Sequence, residues 1–436
     1  MKPMRIALLG AGTVASGVVR VLRRNQDELC RRAGRGIEVV AVAARNAQKA
    51  RRSIGDDLAL TDDFRGLATR DDVDIVAELM GGIEPARELV LAAIQAGKHV
   101  VTANKALLAL HGNEIFAAAQ ASGVMVAFEA AVAGGIPIIK ALREGLAANR
   151  IEWVAGIING TTNFILSSMR DRGVDFATAL AEAQRLGYAE ADPGFDIDGV
   201  DAAHKITLLC AIAFGVPVQF ARAHVQGIRD LDTADIRYAE QLGYRIKLLA
   251  MTRRSEQGIE LRVHPTLIPA TRLVANVEGA MNAVVVQGDA VGPALFYGKG
   301  AGSEPTASSV IADLVDITRL HTADPGHRVP HLAFQPGALA DTPILDMPLV
   351  RTSYYLRIRV RDEVGVLAEI TRILADCGMS IDALLQRPSA DHDEHTDVIL
   401  LTHETLEQRM DEALARIQGL DTVLAPVVRL RKEELR

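Results

Sequence analysis

The tightest constraint on the fold lies at the start of the chain. Residues 5–9 form a short apolar run that reads as a strand. Gly10-Ala11-Gly12-Thr13-Val14-Ala15-Ser16-Gly17 follows directly, and then a helical stretch, VVRVLRRNQDEL. A strand, a GxGxxG/A turn and a helix in that order form the context a dinucleotide site requires. Gly10 permits the tight turn, Gly12 lets backbone approach a pyrophosphate, and Ala15 is small enough for close helix–strand packing. The helix start, at Thr13 and Val14, then offers free N–H groups to the phosphates. Gly10, Gly12, Thr13 and Val14 are therefore cofactor-binding candidates.

The second strand is expected at residues 37–44. Sites that prefer NAD tend to carry an acidic residue at its end, for the ribose 2′-hydroxyl. Here the residue is Arg45, with Lys49, Arg51 and Arg52 beyond it. A guanidinium suits a 2′-phosphate, so the sequence points to NADP, with NAD as the alternative. An ordinary solvated basic helix start is the plainer reading of the same residues. Further strand–helix units follow, with strands at 73–79, 99–102 and 124–128 and a helix at 85–96. Such alternation predicts a parallel, doubly wound sheet. Lys105 falls just past the end of the 99–102 strand, where open α/β sheets place ligands. A lysine is electrostatically misplaced at a helix start, which favours a functional role over a merely exposed one.

A second centre lies at residues 186–215. An acidic loop holding Glu190, Asp192, Asp196 and Asp198 runs into a helix that starts near Gly199 or Val200. Asp201 and Lys205 are four apart and share one helical face. The residues after Lys205 are nearly all apolar or small, so that helix should be buried on most sides. Burial lowers a lysine's pKa toward the range where it can trade a proton. A surface Asp–Lys pair is the bland alternative. The acidic loop lacks the D-x-D-x-D-G spacing of a calcium loop. Nearby, Asn159-Gly160-Thr161-Thr162-Asn163 follows a strand at 150–158. It suits a polar-ligand cradle or, equally, a helix N-cap. Glu129 ends a strand beside the glycine-rich turn AAVAGGIP, where a carboxylate with several carbonyls makes a plausible hard-cation site. A purely structural turn fits as well. Strands at 259–263 and 283–287 lack intervening long helices and predict a mostly antiparallel sheet.

These stretches occur together in one known family. GAGTVASG, TANKALLA, FEAAVAGGIP, GIINGTTNFIL, LGYAEADP with DIDGVDAAHKITLL, and YGKGAGSEPTASSVIAD stand in the order seen in homoserine dehydrogenases. The resemblance covers about the first 320 residues. It implies reversible NAD(P)H-dependent reduction of L-aspartate 4-semialdehyde to L-homoserine, a step toward threonine, methionine and isoleucine. It implies that Lys205 is the proton donor and that Lys105 is a second lysine near nicotinamide and substrate. It gives Glu190 and Asp201, with Asp196 and Thr161, to the substrate, and Gly187 and Gly302 to the cofactor. It gives Glu129, with the carbonyls of Val132, Gly134 and Ile136, to a monovalent cation, usually sodium. One departure is Phe195, which stands where some relatives carry an acidic residue. The chemistry is consistent: hydride delivery to an aldehyde builds negative charge on oxygen, and a placed ammonium stabilises and protonates it.

Residues 325–350 contain Pro325, Pro330, Pro336, Pro343 and Pro348 and read as a linker with short strands. Beyond it the pattern is strand 354–360, helix 366–377, strands 380–386 and 397–402, helix 406–417 and strand 423–429. This βαββαβ order is the ferredoxin-like unit. VRDEVGVLAEITRILADCGMSIDALLQ resembles an ACT domain, which implies dimerising sheets and an amino-acid effector, L-threonine as end product. A structural dimerisation module is the alternative. The expected domains are thus 1–130 for the dinucleotide (with a returning helix at 305–322), 131–304 for catalysis and dimerisation, a linker at 323–350, and the ACT unit at 351–436. A homodimer or homotetramer is expected.

Composition narrows the partners. The net charge is −7 with no basic block, which argues against nucleic acid. No secretory pattern or run of 18 apolar residues occurs, so no membrane is expected and the cytoplasm is the expected location. Cys30, Cys210 and Cys377 are far apart and show neither disulfide nor zinc spacing. An acylating semialdehyde dehydrogenase would need a thiol nucleophile. Cys210 lies in an apolar helix, Cys377 in the ACT-like helix, and Cys30 in a basic segment remote in sequence from the proposed centre. A decayed, threonine-sensing relative is disfavoured by the full set Lys105, Glu190, Asp201 and Lys205.

Overall fold

The computed structural model describes residues 1–386 and 394–436. The first sheet contains β1 (Met4–Leu9), β2 (Ile37–Ala43), β3 (Leu60–Thr61), β4 (Ile75–Glu78), β5 (His99–Thr102) and β6 (Val126–Ala127). All its ladders are parallel, and the spatial order is β3-β2-β1-β4-β5-β6. That is the doubly wound order, and its switch point between β1 and β4 is where ligands bind in such sheets. The Gly10 turn stands there. Gly10 has φ 105°, and a Cβ on it would lie 2.9 Å from the Leu79 carbonyl oxygen, so the sequence has no alternative to glycine.

The helix after that turn, Thr13–Arg24, packs against the return helix Ser303–Leu320. Val18 and Val19 meet Val310 and Leu314 in one apolar cluster. The contact is close because Gly17 has no side chain: a Cβ there would fall 2.3 Å from the Ser303 carbonyl oxygen. Arg20 donates to the Ser303 hydroxyl at 2.7 Å, and Arg24 pairs with Glu304 at 2.9 Å. The end of the catalytic segment is thereby sewn back onto the dinucleotide unit.

The remaining strands are β7 (Ile151–Ile157), β8 (His224–Val225), β9 (Tyr244–Arg254), β10 (Ile259–Pro269), β11 (Met281–Gly288), β12 (Gly292–Lys299), β13 (Arg351–Arg361), β14 (Ile381–Gln386), β15 (His395–Thr402), β16 (Thr405–Leu406) and β17 (Val428–Lys432). Among the described residues they form one mixed sheet of eleven strands, with the path β12-β11-β7-β9-β10-β17-β13-β15-β14. The catalytic part is antiparallel from β12 to β10. The C-terminal part is the ferredoxin-like unit, with the helices Val366–Asp376 and Glu407–Gln418 closing its own core. No helix is long and apolar enough to cross a membrane, among the described residues.

Several boundaries differ from the sequence reading. The last strand is Val428–Lys432 rather than 423–429, since Pro426 cannot donate to a ladder. β10 runs eleven residues instead of stopping at 263. Pro265 lies inside it, with β9 on one side and the interval between the β8 and β17 pairings on the other. The segment after Pro137 is α-helical only over Ile138–Lys140 and π-wound over Ala141–Gly145. The linker forms the short 3-10 turns Pro325–His327, Pro336–Ala338 and Met347–Leu349, with a single bridge from Ile344 to Ile259 in place of strands.

Candidate active site

The central helix, Val200–Phe214, starts at Gly199 in the left-handed conformation, and every residue from Asp201 to Phe214 is buried. Ala202, Ala203, Ile206, Leu208 and Leu209 join the main core, which carries the two charged side chains inward with them. Lys205 Nζ donates to the Ile158 carbonyl at 2.6 Å and to Asp201 Oδ2 at 2.7 Å. The other oxygen of Asp201 faces Lys105 Nζ at 3.1 Å. One carboxylate therefore bridges two ammonium groups from different domains. Asn159 adds a third donor: its Nδ2 reaches Asp201 Oδ2 at 2.8 Å and Asp196 Oδ1 at 2.7 Å. Asn159 Oδ1 meanwhile accepts from Thr162 N and caps the helix Gly160–Arg172.

Electrostatics follow from this packing. Burial and the Lys105 charge lower the pKa of Lys205, with Asp201 opposing. Burial alone would raise Asp201, but Lys205 and Lys105 hold it well below the usual carboxylate range. Asp196 is raised by burial and by the Asp201 charge. The Thr161 hydroxyl donates to the Tyr188 carbonyl at 2.7 Å, which ties the acidic loop to the helix start. Glu190 stands exposed on that loop, outside the hydrogen-bonded cluster of Asp196, Asp201, Lys105 and Lys205.

Across the cleft, the turn residues Gly10 and Gly12 share a groove of about 390 Å³ with Arg45, Lys49 and Met80. Gly12 is the N-cap of the Thr13–Arg24 helix, so Thr13 and Val14 supply the first free amides. Gly302, at φ 131°, precedes the return helix, and the Ser303 hydroxyl donates to the Thr13 carbonyl at 2.8 Å. Gly187 is left-handed and exposed, just after the helix Phe176–Arg185. Glu78 was not singled out from the sequence. It is fully buried at the end of β4, accepts from Met80 N, Gly81 N and the Thr102 hydroxyl, and so fixes the second turn of the groove.

Glu129 is buried, and its two oxygens accept from Ile139 N at 2.9 Å and Lys140 N at 2.8 Å. Burial and the neighbouring Asp313 push its carboxyl up to about 7. Gly134 O accepts from the Ser309 hydroxyl at 2.6 Å, and Ile136 O accepts from Ile138 N at 2.8 Å. Ala133 and Gly134 both have positive φ, which turns the Val132–Ile136 segment back beside Glu129. Among the described residues no three His, Cys, Asp or Glu side chains gather as a metal cluster, so a cation here would rely on main-chain oxygens.

Comparison with known proteins bears on this arrangement. A family model described as homoserine dehydrogenase matches residues 137–315, and one described as homoserine dehydrogenase, NAD binding domain, matches residues 10–129. A homoserine dehydrogenase of Pseudomonas aeruginosa is 57% identical over 435 residues, covering 100% of both chains. This chain belongs to the homoserine dehydrogenase family. It is an oxidoreductase with a nicotinamide-dinucleotide-binding domain. The crystal structure of a homoserine dehydrogenase from Thiobacillus denitrificans superposes with a TM-score of 0.96 at 66% identity, over 100% of this chain and 99% of that one. A hyperthermophilic archaeal homoserine dehydrogenase in complex with NADPH matches at 26% identity, with a TM-score of 0.63, over 74% of this chain and 99% of that one. An ACT domain model matches residues 354–421.

Membership in the homoserine dehydrogenases disposes of the acylating alternative, and the thiols agree. Cys210 lies buried in the central helix and its pKa is pushed up to about 12 by burial, so no thiolate forms there. Two features of this homoserine dehydrogenase escaped the sequence reading. The bridging amide of Asn159 was masked by its equal fitness as an N-cap, and the structure gives it both tasks. The Ile158 carbonyl on Lys205 leaves no trace in side-chain identity at all.

Proposed function

We propose that Lys205 is the proton donor to the aldehyde oxygen of L-aspartate 4-semialdehyde, and the acceptor of the hydroxyl proton of L-homoserine in reverse. The observation that carries this is the Lys205–Asp201–Lys105 bridge, in which the buried Lys205 and Asp201 meet the partly exposed Lys105 that follows strand β5. The nicotinamide, when bound, supplies the hydride to the carbonyl carbon. As negative charge grows on the oxygen, the Lys205 ammonium gives up a proton and is left as a neutral amine. Burial and the Lys105 charge lower its pKa, which eases proton exchange in both directions. Lys105 adds a second positive charge on the developing oxyanion.

The resemblance gave Asp201 to the substrate's amino group. With three donors already on it, its carboxylate first holds the lysines, and Asp196 and Glu190 are left to meet the α-ammonium. Asp196 suits this, because a cation beside it relieves the raised pKa that burial and Asp201 impose. Thr161 anchors the loop that presents Glu190.

For the cofactor we favour NADP over NAD, bound by Gly10, Gly12, Thr13 and Val14, with Arg45 and Lys49 toward the 2′-phosphate, Lys105 toward the nicotinamide, and Gly187 and Gly302 as further backbone contacts. The archaeal homoserine dehydrogenase solved with NADPH is in keeping with this choice. Glu129 with the carbonyls of Val132, Gly134 and Ile136 is a donor set suited to a hard monovalent cation, sodium by preference. The C-terminal unit takes L-threonine as effector, and the chain works in the cytoplasm as a homodimer or homotetramer. The domain limits proposed are 1–130 with the returning helix, 131–304 and 351–436.

The deciding assay is oxidation of L-homoserine with NADP⁺ and NAD⁺ in parallel. Lys205→Ala should lower kcat about 10²- to 10⁴-fold with the KM for cofactor unchanged. Arg45→Asp should shift the preference toward NAD⁺. A Lys205→Ala enzyme with parental kcat removes Lys205 from the mechanism.

A further inference from the structure

Lys105 is only partly fixed by Asp201. Its ammonium lies 3.1 Å from Oδ1, yet 31% of the side chain stays exposed, and Asp201 shares its other oxygen with Lys205. Its second neighbour is an aromatic face: Nζ lies 5.7 Å from the centroid of the Phe195 ring, within cation–π reach. Phe195 sits in the short helix Gly194–Ile197 of the acidic loop and is 44% exposed. An apolar ring left half in water among carboxylates is disfavoured on hydration grounds alone, so its place calls for a reason.

The ring is held from behind. His204 meets it edge-on, at 5.4 Å between centroids and 61° between planes. Phe220 meets His204 in turn, at 4.3 Å and 70°. His204 is buried on the central helix, one residue before Lys205, and burial lowers its pKa to about 4. Its ring is therefore neutral and adds no charge to repel Lys105. Three rings thus run in file from the turn Phe220–Arg222, across the central helix, to the ammonium of Lys105.

We propose that Phe195 is a positioning residue for the hydride-transfer step: its face supports the Lys105 ammonium at the cleft, and His204 and Phe220 hold that face in place. This rests on the reading of Lys105 as a residue of the site. The departure at position 195 then has a function. An acidic residue would draw Lys105 into a second ion pair, whereas a phenyl face steadies the ammonium and leaves the N–H groups that Asp201 does not take free for substrate.

The test is a mutant cycle on the full chain, followed by initial rates of L-homoserine oxidation. Phe195→Leu should lower kcat/KM for homoserine about 2- to 10-fold, with KM for the cofactor unchanged. Phe195→Tyr, which keeps the ring, should restore most of it. Combined with Lys105→Ala, Phe195→Leu should cause no further loss. An equal loss in both backgrounds, or a Tyr variant as poor as the Leu variant, overturns the proposal. A Lys105→Ala enzyme with parental kcat/KM would instead overturn the role of Lys105 and this inference with it, so the two failures are told apart. Should Phe195→Leu melt early, Phe195→Met repeats the cycle with a side chain nearer in bulk.

Discussion

At position 201 one carboxylate answers to two ammonium groups, and its charge decides how both behave. Asp201 stays ionised because Lys205 and Lys105 outweigh the burial that would otherwise raise its pKa. Lys205 is depressed by burial, and Asp201 is what limits the depression. The sign for activity follows. With Lys205 as the proposed proton donor, aldehyde reduction should fade as pH rises through its pKa, and homoserine oxidation should grow over the same interval. Asp201→Asn removes the opposing charge, so Lys205 should titrate at lower pH and both limbs should move to lower pH together. The pH–rate profiles in the two directions measure this, and limbs that stay in place would mean another group titrates. Legibility from sequence divides at this scale too. Asp201 and Lys205 showed themselves by their spacing of four on an otherwise apolar helix. The meeting of Lys105 with Asp201, from residues far apart in the chain, needs the packed domains.

Among the elements, the pairing of the Thr13–Arg24 helix with the Ser303–Leu320 helix ties the catalytic segment back to the dinucleotide unit. Their backbones approach because position 17 lacks a Cβ. Gly17→Val should push the return helix away and destabilise the fold by about 1–3 kcal/mol. Thermal melting would read the loss, and cofactor affinity should fall with it, since the amides at Thr13 and Val14 shift. A variant with unchanged melting and affinity would show that the helices can part freely. The strand–turn–helix at residues 4–24 was legible because periodicity and glycine placement are local properties. The π-wound Ala141–Gly145 segment was not: its hydrophobic pattern is helical, and its winding depends on neighbouring elements.

The whole molecule is organised by one sheet that ignores the domain boundary. β17, the last strand, lies parallel to β10 of the catalytic part and antiparallel to β13 of the ferredoxin-like unit. Beside it, Arg262 of β10 is buried and paired with Glu433 at 2.5 Å and Glu260 at 2.8 Å, while Glu433 also receives Arg253 at 2.9 Å. Two arginines of the catalytic strands thus close on one carboxylate from the C-terminus. Glu433→Ala leaves Arg262 buried with only one of its two carboxylates, and the expected loss is about 3–5 kcal/mol. Denaturant unfolding would measure it, and a change within a few tenths of a kcal/mol would mean the junction adds nothing to stability. This strand joins the C-terminal unit directly to β10, against which the central helix packs.

The sequence by itself determined the local grammar of the chain: where the glycine turn between strand and helix falls, which helix must be buried, which residues carry charge into it, and the βαββαβ order at the end. Each of these depends on neighbours within a few residues, where periodicity, glycine and capping act. Tertiary structure alone decided the bridge from Lys105 to Asp201, the carbonyl on Lys205, the file of rings behind Phe195 and the insertion of the last strand between two units. These are contacts between residues remote in sequence, selected by how faces and charges fit once the chain has closed, and no spacing along the chain encodes them.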